Sequence, residues 1–277
     1  MDTNSLVLTL LNMNGWGAKK VYKYIIKHSM NYDKCVQGLV DELNSEQKAE
    51  FKQKLQQSKL TLALNFEKGI KACNIFDDCF PKKLYHSNDI CIFLYYRGNI
   101  NLLNRKSIAI IGTRTPDEDF KEKGMIATKY FASKGYVVVS GLALGCDTIA
   151  HETTLMVNGD TIAVLPSPCD NPQPTSNRSL AERIVENGGL LISEYGSGET
   201  VSKYNYPRRD RIQSLLTSTI LIIQASDGSG TMIATKKSIN ENKMVYAIKG
   251  NNLSLVKKYV DVESEEELKE IANWIMN

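Results

Sequence analysis

Apolar residues recur at helical spacing near the start of the chain and fall into short branched runs further along. Leu6, Leu8, Leu10 and Leu11, then Val21, Tyr24 and Ile25, fit helical faces on either side of Asn14-Gly15-Trp16-Gly17. Glu42 to Lys59 predicts a polar helix with Leu43, Phe51 and Leu55 as its apolar positions, and Thr61 to Cys73 a further short helix. Residues 1–78 therefore read as a helical N-terminal domain. Phe80-Pro81 breaks that pattern. Ile90 to Tyr96 reads as a strand and Arg97-Gly98-Asn99 as a turn, so 79–105 reads as a junction segment.

From Ser107 onward strands and helices alternate. Strands are predicted at Ile108–Ile111, Val137–Val139, Thr161–Leu165, Leu190–Ser193, Thr219–Ile223 and Val245–Ile248. Helices are predicted near Phe120–Ser133, Thr148–Val157, Ser179–Asn187, Arg209–Leu216 and Met232–Asn240, and an amphipathic tail helix over Glu263–Asn277. Such alternation predicts an α/β fold over 106–277, a parallel sheet with helices on both faces. Ligands of such sheets bind beyond the carboxyl ends of the strands. Five polar or glycine-rich segments converge there: Gly112-Thr113-Arg114, Ser140 to Asp147, Pro166-Ser167-Pro168, Glu194, and Asp227 to Thr231.

The chemistry of these segments points to an anion. Gly141 and Gly145 let amide groups crowd together, Ser140 adds a hydroxyl, and a helix starting near Asp147 adds its positive end. Asp147 itself also suits the start of a helix, and both roles are compatible. Gly228, Ser229, Gly230 and Thr231 form a second amide-rich turn opening a helix. Arg114 stands at a strand end, suited to phosphate. Tyr206, Arg208, Arg209 and Arg211 combine a ring for stacking on bases with guanidinium groups for a phosphate chain, Asp210 offsetting one charge. Asn14 to Gly17 fits a helix-hairpin-helix turn or a plain helix connection. The dinucleotide and P-loop fingerprints are absent, which disfavours nicotinamide, flavin and ATP. His151 lies one helical turn beyond Asp147. No paired carboxylates, nucleophile–base pair or metal-ligand cluster emerges, so no catalytic residue, metal or cofactor is expected.

Composition changes this picture little. The 277 residues are 42% hydrophobic and 23% charged, with a net charge of +3, too mild to indicate nucleic acid without local clustering. The N-terminus does not read as a signal peptide and no run is long enough for a membrane span. Six scattered cysteines without a Cys-x-x-Cys pair fit reduced thiols and a cytoplasmic protein.

The chain resembles the DNA-processing protein A (DprA/Smf) family. The resemblance lies in Ser107 to Arg114, Val138 to Asp147, Ala150-His151, Thr161 to Leu165, Ser176 to Leu180 with Arg178, Tyr206 to Ile212, Gly228 to Thr235 and Val245 to Gly250. Phe80 to Leu84 and Leu94 to Asn99 match that family's lead-in. The resemblance implies an extended Rossmann-like domain behind a small helical (SAM or helix-hairpin-helix-like) domain, in the short form without a C-terminal winged helix. It implies a non-enzymatic, dimeric protein that binds single-stranded DNA, protects it during natural transformation and loads the RecA recombinase. Arg114, Arg178 and the basic cluster at Arg208, Arg209 and Arg211 would line its pocket, shaped by the two glycine-rich turns. Leu144, where members commonly carry arginine, Asp210, where they carry asparagine, and Pro166-Ser167-Pro168 depart from the pattern. The apolar tail face with Ile271, Trp274 and Ile275 fits either a dimer contact or packing on its own domain. The alternatives are a nucleoside-monophosphate phosphoribohydrolase-like enzyme, which needs a glutamate shortly after Thr231, or a nucleotide-sensing module.

Overall fold

The computed structural model describes residues 2–85 and 90–276. Residues 86–89 of the expected junction, and the last residue of the expected tail helix, lie outside the described residues.

Four helices open the chain. α1 (Thr3–Asn12) starts at Asp2, whose carboxylate accepts from the Ser5 amide at 2.9 Å, and its uncharged sequence buries Leu6, Val7, Leu8 and Leu10. α2 (Ala18–Lys27) buries Val21, Tyr24 and Ile25, and α3 (Tyr32–Glu42) is capped by Asn31. α4 (Ser45–Glu67) begins with a reciprocal capping box between Asn44 and Gln47. The helix expected over Thr61–Cys73 does not form as a separate element. α4 runs through to Glu67 and ends in a Schellman motif, with Gly69 N donating to Phe66 O and Ile70 N to Asn65 O. The chain then becomes strand β1 (Lys71–Asn74).

β2 (Phe93–Gly98) pairs antiparallel with β1, and Arg97 and Gly98, expected in a turn, belong to the strand. The alternating part follows as β3 (Ser107–Ile111), α5 (Glu118–Ser133), β4 (Val137–Ser140), α6 (Cys146–Met156), β5 (Thr161–Leu165), α7 (Arg178–Glu186), β6 (Leu190–Ser193), α8 (Asn205–Leu216), β7 (Thr219–Ile222), α9 (Gly230–Asn240) and β8 (Met244–Ile248). A short strand, β9 (Lys258–Val260), and α10 (Glu265–Met276) complete the described chain.

The nine strands form one sheet in the order β1-β2-β6-β5-β4-β3-β7-β8-β9. β3 to β8 are mutually parallel, and β2 joins them antiparallel to β6, with Tyr95 opposite Ser193. This is an extended Rossmann-like α/β fold. β3, β4, β5, β6 and β7 are buried at every position, as a parallel sheet covered on both faces requires. Alternate residues serve opposite faces: Ile108 and Ile110 pack with Phe131, Leu221 and Ile271, while Ala109 and Ile111 pack with Ile220, Met232 and Val245. A third cluster runs from α1–α3 through β2, β5 and β6 to Ile212 and Leu216 of α8, so the N-terminal helices share a core with the sheet. Leu268, Ile271 and Ile275 of α10 pack back on the sheet domain, while Trp274 stays 47% exposed. None of the described helices is long and apolar enough to cross a membrane.

From β3 the chain first builds β4, β5 and β6 on one side and then crosses to β7 on the other. The sheet therefore has its topological switch point between β3 and β7, where a crevice opens at the strand ends.

Asn44 tests the helical layer. Asn44→Ala removes one orphan-amide acceptor on an exposed cap and should cost about 1 kcal/mol, a fall of roughly 2–4 °C in melting temperature. Asn44→Asp should melt near the parent.

Candidate anion site at the carboxyl ends of the strands

The switch-point crevice is a cavity of about 360 Å³. Gly112, Thr113 and Arg114 reach it from β3, Ala143 and Asp147 from the β4 side, Tyr206, Arg209, Asp210 and Gln213 from α8, and Ser229, Gly230 and Thr231 from the start of α9.

The interior of the site is organised around Arg209, which is only 7% exposed. Its Nη1 donates to Gly141 O and to Val164 O (3.2 Å), and its Nε donates to Asp210 Oδ1 (2.8 Å). A Cβ on Gly141 would lie 1.8 Å from Nη1, so this position must be glycine for the guanidinium to reach its carbonyls. Gly145, at φ +71°, would place a Cβ 2.5 Å from the Arg114 carbonyl carbon, so the α6 turn also closes tightly on the β3 loop.

The first of the two expected amide nests is already occupied. Asp147 Oδ2 accepts from Gly141 N (3.1 Å) and Ala143 N (3.2 Å). Burial raises the Asp147 pKa, opposed by the charge of Arg209. Ser140 Oγ donates to Ile110 O at 2.7 Å and is fully buried. Ser140, Gly141, Gly145 and Asp147 thus build the wall of the site from within. The cap of α6 is Gly145, and Asp147 lies inside the first turn.

The second nest is open. Ser229 caps α9 in position only, since its side chain makes no capping hydrogen bond, and its Oγ is buried without a partner among the described residues. Met232 N already donates to Ser229 O (3.0 Å), so the Gly230 and Thr231 amides and the positive end of the α9 dipole stand at the cavity with a spare hydroxyl beside them. Gly228, at φ +85°, turns the chain into this position. Across the cavity Arg114 is exposed, forms no ion pair among the described residues, and sits 5.8 Å from the Tyr206 ring centroid.

The arginines do not form one wall. Arg208 is exposed and lines a different cavity. Arg211 is buried and donates through Nη2 to Glu194 Oε1 at 2.6 Å. Arg178 is exposed at the start of α7, 2.5 Å from Asn171 Oδ1 and outside the lining of the crevice. Thr113 and Ala143 line the site within the segments expected to converge there, whereas Gln213 lies outside every segment singled out for the site in the sequence and nothing in its residue type marks it.

His151 lies behind this wall, fully buried. Thr161 Oγ1 donates to Val138 O (2.8 Å), which commits its only proton, so His151 Nδ1, 2.7 Å away, must carry the hydrogen and donate. Burial, aided by the positive charge of Arg209, pushes the imidazole pKa down to about 3. The ring is neutral near neutral pH and holds β5 to α6.

A sheet of this topology defines a Rossmann-like α/β protein, with an uncapped helix terminus and an exposed arginine at its switch point. The chain belongs to the DNA recombination-mediator protein A family, which it matches over residues 71–274. It is 34% identical over 192 residues to the DNA processing protein DprA of Streptococcus pneumoniae, covering 69% of this chain and 67% of that one. It is 31% identical over 171 residues to the protein Smf of Escherichia coli, covering 62% of this chain and 46% of that one. Among solved structures, DprA of Streptococcus pneumoniae superposes with a TM-score of 0.77 at 27% identity, over 97% of this chain and 98% of that one. DNA processing protein A of Helicobacter pylori, described for its single-stranded DNA binding mode, superposes with a TM-score of 0.65 at 26% identity, over 73% of this chain and 96% of that one.

The lowered pKa of His151 has a signed consequence. The unfolded imidazole takes a proton near pH 6.5 and the folded one only near pH 3. Stability from this group is fully present above about pH 6.5 and falls by on the order of 1 kcal/mol per pH unit down to about pH 3. Urea unfolding across pH should show a shallower acid limb for His151→Gln than for the parent, whatever the offset at neutral pH.

Proposed function

We propose that this chain binds single-stranded DNA at the switch-point crevice, as a non-enzymatic protein that protects incoming strands during natural transformation and delivers them to the RecA recombinase. It acts in the cytoplasm as a homodimer and uses no cofactor or metal. The observation that carries the reading is the pairing of exposed Arg114 with the Tyr206 ring, opposite the uncapped start of α9. A phosphate fits between the guanidinium and the α9 amides, and an adjacent base fits the ring. The Helicobacter pylori relative, whose described property is single-stranded DNA binding, supports the ligand class.

The nucleotide-hydrolase alternative needs a carboxylate in the first turn of α9. That helix carries none over Gly230–Asn240, and Glu241 lies at its far end, roughly 15 Å along the axis.

Oligonucleotide titration at several salt concentrations tests the site. Arg114→Ala should weaken binding about tenfold and reduce the log–log salt slope by about 0.7, the share of one phosphate contact on a single strand. An unchanged affinity and slope would remove Arg114 from the interface. Leu144, 45% exposed and next to Ala143 at the rim, offers the converse test. Leu144→Arg should tighten binding and steepen the slope by about 0.7.

A further inference from the structure

A second cavity, of about 650 Å³, lies where the α1–α2 hairpin meets the sheet. Its charged lining comes from both sides: Lys19 and Lys20 from α2, Arg208 and Arg211 from α8, with Glu194 and Glu199 between them. The acids are committed. Glu194 accepts from Arg211 at 2.6 Å, and Glu199 accepts from Gly196 N at 2.6 Å with its pKa raised by burial. Lys19, Lys20 and Arg208 are exposed and form no ion pair among the described residues.

The hairpin is locally unfavourable on its own terms. α2 begins at Gly17 with no side-chain cap and no acid in its first turn, and it places two lysines there instead. Positive charge beside a helix N-terminus costs stability, and unsatisfied first-turn amides add to it. Lys20 lies over the Trp16 ring at 4.6 Å, which holds its ammonium at this end of the helix. Two of the turn's amides are used within the protein, Asn14 N by Glu50 Oε1 (2.8 Å) and Trp16 N by Met13 O (3.1 Å). Lys20 N donates to Gly17 O (2.8 Å), and the start of α2 still carries two lysines and no capping side chain, an arrangement that an anion relieves on both counts.

Shared lining residues link this cleft to the switch-point crevice. Tyr206 lines the crevice and also a shallow depression beside it, Glu199 lines that depression and also the cleft, and Arg208 stands two residues beyond Tyr206 on α8. We infer that the cleft between the α1–α2 hairpin and α8 is a second nucleic-acid site, in which a single strand leaving the crevice crosses the first turn of α8 and sets its phosphates against Arg208, Lys19, Lys20 and the open end of α2. This inference rests on the crevice being a single-strand site and extends it to a longer footprint.

The test uses the full chain and labelled oligothymidylates of about 4 and about 16 nucleotides, within the range of single-strand site sizes. The double variant Lys19→Glu/Lys20→Glu should bind the long strand at least tenfold more weakly, with a salt slope lower by about 1.4 for two lost contacts, and bind the short strand nearly as the parent does. Lys129→Glu/Lys134→Glu, on α5 and at its C-cap and outside the cleft lining, makes the same change in net charge and should affect the long strand far less. Lys19→Gln/Lys20→Gln, which relieves the dipole conflict without adding acids, should melt no lower than the parent and still lose long-strand affinity, so the loss is not one of folding. The inference is overturned if the cleft and α5 variants weaken the long strand equally, or if the cleft variant weakens short and long strands alike. Failure of the underlying reading has a different signature, since Arg114→Ala would then bind both lengths as the parent does.

Discussion

The buried guanidinium of Arg209 is the constraint on which the site depends. It lies under the strand ends and ties the loop after β4, through Gly141 O, to β5, through Val164 O, while Asp210 holds its other edge. A charge in that position is costly unless its donors are filled and an opposite charge stands close by. Two local features answer that demand. Gly141 has no Cβ to collide with Nη1, and Asp147 sets a carboxylate beside the arginine while collecting two amides of the same loop. The loop after β4 is therefore a rigid, internally satisfied wall, and the acids in a site meant for an anion are explained by the arginine that the wall encloses.

That arrangement decides which parts of the site remain for a ligand. A nest that already holds a carboxylate offers no amides, so the glycine-rich turn at Ser140–Asp147 contributes shape. The free donors lie across the switch point, at the uncapped start of α9 and at Arg114. The unpartnered Ser229 hydroxyl marks the same place, since buried polar groups in a folded protein normally find a partner.

Much of the fold was legible because buried parallel strands announce themselves as unbroken branched runs. Thr161–Leu165 and Leu190–Ser193 coincide with β5 and β6 at both ends. The edge strands were not legible. Lys71–Asn74 and Lys258–Val260 are short and partly polar, and they become strands only by pairing with β2 and β8, a contact that no local pattern encodes. The apolar spacing over Thr61–Cys73 predicts a helix through Gly69, yet Gly69, at φ +72°, closes the turn that ends α4. At the site, three of the five segments expected to converge at the carboxyl strand ends contribute to the crevice, those around Arg114, Asp147 and Ser229, while Pro166-Ser167-Pro168 and Glu194 lie outside its lining. The division of labour among Arg208, Arg209 and Arg211 was hidden, because successive helical residues diverge and each meets a different tertiary neighbour. Arg209 meets carbonyls, Arg211 meets Glu194, and Arg208 meets solvent above the hairpin cleft.

The charge balance of the two cavities gives them different tasks. Arg114 and Arg209 in the crevice are matched by Asp147 and Asp210, so its attraction for an anion is short-ranged and comes from directed amides, a hydroxyl and a ring. The hairpin cleft holds four cations against two carboxylates, with Arg211 committed to Glu194, which leaves a local excess of positive charge. In the proposed reading, the neutral, shaped crevice would fix the position of one phosphate and its base, whereas the basic cleft would gather a flexible chain without demanding register. With a net charge of only +3 on the whole molecule, long-range attraction of a polyanion has to come from such local clustering. The shared core between α1–α3 and the sheet joins the helical layer to the strands that carry the crevice, so in the proposed reading the helical layer belongs to the binding surface.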